Sequence, residues 1–185
     1  MLKNNMRCFI SINLPEECKK EVIKLQNKLK EKNLFIGKYT EKDNLHLTLK
    51  FLGEISEEKM KIVENKLDKV RFEDFELRFE KLGFFSPHLI GIVWISALGE
   101  GLFDLQKNID LKLSDLFPRE ERFMGHLTIA RVKDTQDKML FMKELKAMKL
   151  NKIGMKMDKF YLMKSELTNA GPKYKILRVY EAGYP

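Results

Sequence analysis

The chain has 185 residues, of which 44% are hydrophobic, and this length and composition are typical of a soluble domain with its own core. Lys and Arg outnumber Asp and Glu by 35 to 27, a formal net charge of +8, which favours a polyanionic partner but also suits an ordinary solvated surface. No stretch has the length and hydrophobicity of a transmembrane helix or a signal peptide, so we expect no membrane association and a cytoplasmic location.

Hydrophobic periodicity predicts strands and helices in alternation along the chain. Residues spaced two apart predict strands at 7–14, 34–39, 45–52, 75–82, 89–95, 126–132, 152–163 and 174–182. Residues spaced three or four apart predict helices from Pro15 through Leu29, at 56–70, at 102–113 and from Asp134 or Thr135 to Met148. Glycine and proline predict a loop at 83–87 and a turn at 169–172. The densest apolar run, 89–95, predicts a buried strand with Trp94 in the core.

The order of these elements indicates an internal duplication. Each half of the chain holds two predicted helices and several strands, and one strand in each half carries the same short motif. We therefore expect an α+β fold of two pseudo-symmetric lobes around a central cleft. No linker rich in Pro, Gly or Ser separates the halves, so residues 1–185 are expected to form one domain of two intertwined lobes.

The shared motif is His-x-Thr within an apolar frame. It occurs as His46-Leu47-Thr48-Leu49 and again as His126-Leu127-Thr128-Ile129. In a strand, residues two apart point the same way, so each motif presents one imidazole and one hydroxyl on a single face. A single copy is often no more than a hydrogen-bonded histidine at the edge of a core. Two copies in equivalent positions favour a functional pair.

This pair of motifs has the groups that open a cyclic phosphodiester. Two imidazoles that titrate near neutrality can act as base and acid on opposite sides of phosphorus, and two hydroxyls can bind the oxygens on which charge develops. Cys8 and Cys18 show no metal-ligand spacing and are expected to be free thiols. We expect no metal site and no cofactor, because neither a His cluster nor a carboxylate pair has ligand spacing.

The motifs resemble those of the 2H phosphoesterase superfamily, and more narrowly its RNA 2′,3′-cyclic phosphodiesterases, also called 2′-5′ RNA ligase-like proteins. The matching segments are 7–12 (RCFISI) followed by Leu14-Pro15, 44–53 (NLHLTLKFLG), Arg122-Phe123 with 126–131 (HLTIAR), and Gly171-Pro172-x-Tyr174. The resemblance covers almost the whole chain and implies antiparallel sheets lining a V-shaped cleft. Relatives usually carry proline where this chain has Gly125, a difference that changes backbone stiffness next to His126 but no reacting group.

The resemblance also implies roles for the motif residues. Hydrolysis in this family leaves a 2′-phosphate, so the 3′-oxygen departs, with His46 as its proton donor and His126 as the base for water. Thr48 and Thr128 would bind the phosphate. Arg131 would contact it too, although an ideal strand turns Arg131 to the face opposite Thr128 and only a bulge or strand end would bring it back.

Two aromatic residues are further candidates for the substrate site. Phe9 lies on the polar face of the first strand with Arg7 and Ser11, where it could stack on a base or belong to the core. Tyr174 has the same two interpretations. His88 has no Thr partner and is expected to be a loop histidine.

The sequence thus predicts a metal-independent enzyme that hydrolyses RNA 2′,3′-cyclic phosphate ends to 2′-phosphomonoesters and can join ends in reverse through a 2′-5′ linkage. Expected partners are RNA ends, including tRNA fragments, and the chain is expected to be a monomer. One alternative is the same chemistry on a small cyclic nucleotide. Another is an RNA-binding module without turnover, which salt-dependent RNA affinity without hydrolysis would support.

Overall fold

The structure is a computed structural model that describes residues 5–85, 91–151, 153–169 and 171–183. The described residues form nine strands and four α-helices. The strands are β1 (Met6–Asn13), β2 (Ile36–Tyr39), β3 (His46–Ile55), β4 (Phe75–Phe85), β5 (Gly91–Leu98), β6 (His126–Asp134), β7 (Ile153–Met157), β8 (Lys159–Thr168) and β9 (Gly171–Glu181). The helices are α1 (Glu16–Lys32), α2 (Glu57–Leu67), α3 (Glu100–Lys112) and α4 (Lys138–Ala147). A 3₁₀ turn, Lys42–Asn44, precedes β3.

The strands form a single curled antiparallel sheet in the order β7-β4-β5-β6-β3-β1-β8-β9, and β2 pairs with β6 off this path. The helices bury their apolar faces in the one hydrophobic core of the described residues, through side chains such as Val22, Val63, Ile109 and Phe141. The strands fill that core from the other side, because their alternate residues point inward. The α+β class is confirmed.

The sheet has approximate two-fold symmetry about the contact between β3 and β6. On one side lie β1, β8 and β9, and on the other lie β5, β4 and β7. The expected bilobal fold is thus confirmed, with the difference that strands of both lobes hydrogen-bond in one sheet. The C-terminal strands β8 and β9 return to the lobe that contains β1, so the lobes interleave along the chain.

Three predicted elements differ from the structure. Gly83 was expected in a loop, but β4 continues through Phe85, and the rest of that loop lies outside the described residues. Gly83 lies opposite Trp94 in β5, and a Cβ there would come within 2.2 Å of the indole. Glycine at this position therefore provides room for an aromatic neighbour, not a turn.

The single strand predicted at 152–163 corresponds to two strands in the structure, β7 and β8. Strand β7 pairs with β4, whereas β8 pairs with β1, so they lie in different lobes. The helix predicted to begin after Asp134 or Thr135 begins later, because the Asp137 carboxylate caps it by accepting a hydrogen bond from the Leu140 N–H at 2.9 Å.

Candidate active site

The two His-x-Thr strands meet at the centre of the sheet. Leu47 in β3 lies opposite Leu127 in antiparallel β6, and both leucines are fully buried. Their neighbours in each motif must therefore point to the other face. As expected, His46, Thr48, His126 and Thr128 line a single cavity of about 580 Å³ on that face. The antiparallel register brings each histidine toward the threonine of the other strand.

Both imidazoles are oriented by the same backbone interaction. Nδ1 of His46 donates to the carbonyl of Asn44 at 2.7 Å, and Nδ1 of His126 donates to the carbonyl of Met124 at 2.8 Å. A carbonyl can only accept, so each Nδ1 carries a proton and each Nε2 is left for proton transfer. Nε2 of His46 lies 3.1 Å from Oγ1 of Thr48, within reach of the hydroxyl proton.

The environment of His46 favours its neutral form. Burial lowers its pKa below the ordinary value of 6.5, the Asn44 carbonyl partly opposes this, and the nearby charge of His126 lowers it further. Together these effects shift His46 toward the neutral imidazole. An anionic phosphate bound next to it would favour the imidazolium again.

Aromatic rings surround His46. The ring centroid of Phe9 lies 4.9 Å from those of both His46 and Tyr174, and Tyr174 meets His46 edge-on at 5.1 Å. Phe9 is only 4% exposed, so its ring is almost wholly covered and leaves little surface for a base. Burial raises the pKa of Tyr174, and the positive charges of Arg131 and Arg7 partly oppose that shift.

Arg131 lies on the cleft side of β6 because the strand contains a bulge. Val93 pairs with Ala130 and Trp94 pairs with Thr128, so Ile129 is an extra residue in β6. After Ile129 the bulge reverses which side chains point to each face of the sheet. Arg131 therefore lies on the same face as His126 and Thr128, where it is exposed and lines the cavity. The structure thus has the bulge that the substrate role of Arg131 requires.

A buried glutamine from α1 supports this bulge. The Gln26 amide is 1% exposed and donates through Nε2 to the carbonyls of Ile129 at 2.8 Å and Thr40 at 2.9 Å. The N–H of Thr40 also donates to the Ile129 carbonyl at 2.9 Å. These bonds satisfy the carbonyl that the extra residue frees from regular pairing.

Strand β3 contains the matching bulge. Ile10 pairs with Lys50 and Ser11 pairs with Thr48, so Leu49 is the extra residue. Phe51, the structural counterpart of Arg131, consequently reaches the cleft and is 70% exposed. The sequence reasoning did not find Phe51. Aligning the two motifs would have indicated it, since Phe51 follows His46 by the same interval as Arg131 follows His126.

The bulge in β3 also buries a charge. Lys50 points inward, where it forms an ion pair with Asp110 of α3 and donates to the carbonyl of Pro118 at 2.8 Å. The second oxygen of Asp110 accepts from the N–H of Glu120 at 2.9 Å. This network ties β3 to α3 and to the charged loop before the second motif.

The tip of the β8–β9 hairpin touches the loop before the first motif. The Asn44 side chain donates to the carbonyl of Pro172 at 2.9 Å, while the Asn44 carbonyl orients His46. Asn44 therefore links the Gly171-Pro172 signature to the imidazole. Sequence reasoning included Asn44 in the motif but gave it no role.

The backbone before His126 lies close to β5. A Cβ on Gly125 would lie 2.6 Å from the carbonyl oxygen of Ala97 and 2.6 Å from Cδ2 of Leu102, and the Gly125 carbonyl accepts from the Ala97 N–H at 2.9 Å. The chain has glycine at this position because close packing leaves no room for a side chain, and not because the motif needs a more flexible backbone.

The surroundings of His126 are also aromatic. Phe85 meets the imidazole edge-on at 5.4 Å, and Trp94 packs on Phe85 at 5.0 Å. Trp94 was expected in the core, but it is half-buried on the cleft-side face of β5, opposite Thr128. His88 lies outside the described residues.

In the described ranges, no three His, Cys, Asp or Glu side chains are grouped closely enough to hold a metal ion. Cys8 and Cys18 are buried free thiols, and burial raises the pKa of Cys8 to about 11. No helix in this part of the chain is long and apolar enough to span a membrane.

A curled sheet that joins two His-x-Thr strands across one cavity defines a two-histidine phosphoesterase. The LigT-like phosphoesterase family model matches the chain twice, at residues 12–95 and 93–174. These two matches agree with the internal duplication. The chain belongs to the LigT-like phosphoesterase family, as the resemblance of its motifs predicted.

Alignments with similar proteins cover almost the whole chain. An RNA 2′,3′-cyclic phosphodiesterase of Methanocaldococcus jannaschii is 37% identical over 94% of this chain and 99% of its own length. A protein of the same name from Archaeoglobus fulgidus is 36% identical over 95% of this chain and 100% of its own length. The apo structure of E. coli LigT shares the fold at 23% identity, with a TM-score of 0.79 over 97% of this chain and 99% of LigT.

Proposed function

We propose that this enzyme hydrolyses RNA 2′,3′-cyclic phosphate ends to 2′-phosphomonoesters without a metal ion. The observation that carries the proposal is the Leu47–Leu127 pairing, which places two imidazoles and two hydroxyls on one cavity. Together these groups supply a base, an acid and two donors to the phosphate. The substrate follows from the name shared by the archaeal relatives.

Proton transfer requires one histidine on each side of phosphorus. Nε2 of His126 takes a proton from water as the water oxygen bonds to phosphorus. The P–O3′ bond breaks, and protonated Nε2 of His46 gives its proton to the departing 3′-oxygen. The products are a 2′-phosphate and a 3′-hydroxyl, and proton exchange with solvent restores both imidazoles. The Nδ1 bonds to Asn44 and Met124 hold both rings in the required orientation.

Thr48, Thr128 and Arg131 bind the phosphate in this proposal. The two hydroxyls donate to the non-bridging oxygens, where charge increases in the transition state. The Arg131 guanidinium adds a positive charge and a planar set of donors suited to phosphate. Tyr174 and Phe9 pack against the His46 ring and line the same cavity, so they hold that ring in place, and Tyr174 is also proposed to stack on the base of the substrate. Joining of ends through a 2′-5′ linkage would be the same displacement with a 5′-hydroxyl in place of water: the 5′-oxygen bonds to phosphorus as the P–O3′ bond breaks, His126 takes the hydroxyl proton and His46 protonates the 3′-oxygen.

The physiological substrate is proposed to be RNA, including tRNA fragments, consistent with the net charge of +8. We further propose that the enzyme acts as a monomer, because both histidines come from one chain. The two buried free thiols support a reducing compartment such as the cytoplasm.

The test is turnover of a short RNA that ends in a 2′,3′-cyclic phosphate, with EDTA present and the position of the product phosphate determined. Wild type should yield a 2′-phosphate, and His46→Ala and His126→Ala should each lose at least 10²-fold in kcat while keeping the wild-type circular dichroism spectrum. Salt-sensitive RNA binding without turnover would replace the enzyme proposal with the binding-module alternative. A 3′-phosphate product would reject the leaving-group assignment.

A further inference from the structure

The cavity extends well beyond the two histidines. Along β1, Ser11 pairs with Thr48, Phe9 with Phe51, and Arg7 with Glu54 on one side and Ser165 on the other. The ring of Phe9 packs on His46 at 4.9 Å, and Arg7 lies two strand residues beyond Phe9, so its Cα atom is about 7 Å further along β1. Arg7 and Leu167 still line the same cavity as the histidines. The cleft is therefore longer than one phosphate group requires.

Arg7 brings a positive charge to this end of the cavity. It is exposed, and among the described residues no carboxylate lies within ion-pair distance of its guanidinium, in contrast to Lys19, Lys42 and Lys66, each of which has an acidic partner. An exposed arginine that faces a cleft has five donors in a geometry suited to phosphate.

Two large apolar side chains flank Arg7 on the neighbouring strands. Phe51 on β3 is 70% exposed and Leu167 on β8 is 73% exposed, and both line the cavity. Exposed aromatic and apolar surface beside a cation is the pattern by which proteins bind single-stranded nucleic acid, with bases on the apolar groups and phosphate on the cation.

We propose that Arg7, Phe51 and Leu167 form a second nucleotide subsite, in which Arg7 binds the phosphodiester that joins the last two nucleotides of the RNA. This inference rests on the proposed function, because it takes the cyclic phosphate to lie at the histidines. A nucleoside 2′,3′-cyclic phosphate has no phosphate at this position. The subsite therefore makes the enzyme prefer RNA ends to cyclic mononucleotides.

The test compares two probes that share the same reacting nucleoside. One is adenosine 2′,3′-cyclic phosphate with a free 5′-hydroxyl, and the other is the dinucleotide ApA ending in the same cyclic phosphate. Arg7→Gln should lower kcat/KM on the dinucleotide about tenfold, the effect of losing one charge-assisted hydrogen bond, and change turnover of the nucleoside less than twofold. The control Arg78→Gln removes an exposed arginine on β4, outside the cavity lining, and should leave both rates at the wild-type value.

A second comparison uses a dinucleotide with a neutral methylphosphonate in place of the internal phosphodiester. This change should lower the wild-type preference for the dinucleotide by about the same factor as Arg7→Gln does, and Arg7→Gln should be insensitive to it. Leu167→Ser should also lower kcat/KM on the dinucleotide alone. This second variant tests the subsite without altering charge.

An equal loss on both probes would overturn the subsite and place Arg7 at the reacting phosphate. No loss on either probe would overturn it too. If wild type turns over neither probe, the proposed function itself fails. If it turns over both at equal rates, the proposed chemistry stands and the subsite is rejected.

Discussion

Leu47 and Leu127, the central residues of the two His-x-Thr motifs, lie opposite each other where β3 meets β6. Because both point into the core, every reacting group is directed to the other side of the sheet. The same two strands therefore bury Leu47 and Leu127 in the core and present the motif histidines and threonines to the cleft.

The pH dependence of kcat/KM should reflect the lowered pKa of His46. As a proton donor, His46 must be protonated, so kcat/KM should fall as pH rises through a free-enzyme pKa below 6.5. In the bound complex the anionic phosphate raises this pKa, so the alkaline limb of kcat should lie at higher pH. Steady-state profiles of both parameters measure the difference, and coincident alkaline limbs would contradict it.

The direction of proton transfer can be tested with a modified leaving group. A cyclic substrate in which sulfur replaces the bridging 3′-oxygen releases a thiolate that needs no proton donor. His46→Ala should recover most of its lost kcat on this substrate, whereas His126→Ala should not. Rescue of His126→Ala instead would exchange the two roles.

Replacing Gln26 should affect both stability and Arg131. Gln26→Met keeps the length of the side chain but leaves the Thr40 carbonyl without the amide donor, which should lower the free energy of unfolding by about 1–3 kcal/mol. The loosened bulge should also raise KM for adenosine 2′,3′-cyclic phosphate. Urea denaturation and steady-state kinetics measure the two effects.

The control for this variant is Arg131→Gln, which should raise KM without the loss of stability. A Gln26→Met protein that is less stable but has the wild-type KM would show that the glutamine does not position Arg131.

Gly125 should not tolerate a side chain. Gly125→Ala places a methyl group 2.6 Å from both the Ala97 carbonyl oxygen and Leu102, and we expect a loss of about 1–3 kcal/mol by overpacking. Gly154→Ala is the matched control, because its nearest neighbour in a strand of the same sheet is 3.5 Å away. Thermal unfolding should separate the two variants, and equal melting temperatures would refute the packing argument.

The buried Lys50–Asp110 pair should be costly to break. Lys50→Met leaves the Asp110 carboxylate buried beside an uncharged neighbour, and we expect a loss of about 3–5 kcal/mol. Lys61→Met, at an exposed position of α2, should change stability by less than about 0.5 kcal/mol. Chemical denaturation measures both, and a loss below 1 kcal/mol for Lys50→Met would show that Asp110 finds another partner.

Sequence reasoning succeeded where alternation was regular. The faces of His46, Thr48, His126 and Thr128 followed from the spacing of their leucine neighbours, and the duplication followed from the repeated motif. The regular alternation of side chains between the two faces is interrupted at Leu49 and at Ile129. Each is an extra residue in its strand, and each shifts a later side chain, Phe51 or Arg131, to the cleft. A bulge depends on the partner strand and on support such as Gln26, so local sequence does not reveal it.

The other errors have similar causes. Gly83 predicts a turn in isolation, and only the position of Trp94 on the next strand explains a glycine within β4. In 152–163 the alternation of apolar residues stops after Met157, and Asp158 and Lys159 mark the break between β7 and β8, which find partners toward opposite ends of the sheet.

Phe51 and Arg131 occupy equivalent positions after the two bulges but differ in chemistry. A symmetric homodimer built from one His-x-Thr half would carry identical side chains after both bulges, either two phenylalanines or two arginines. Because one gene encodes both halves, the two positions are free to differ, and here an aromatic ring on one side faces a guanidinium on the other. The two otherwise equivalent motif strands therefore give the cleft an apolar flank on the β3 side and a positively charged flank on the β6 side.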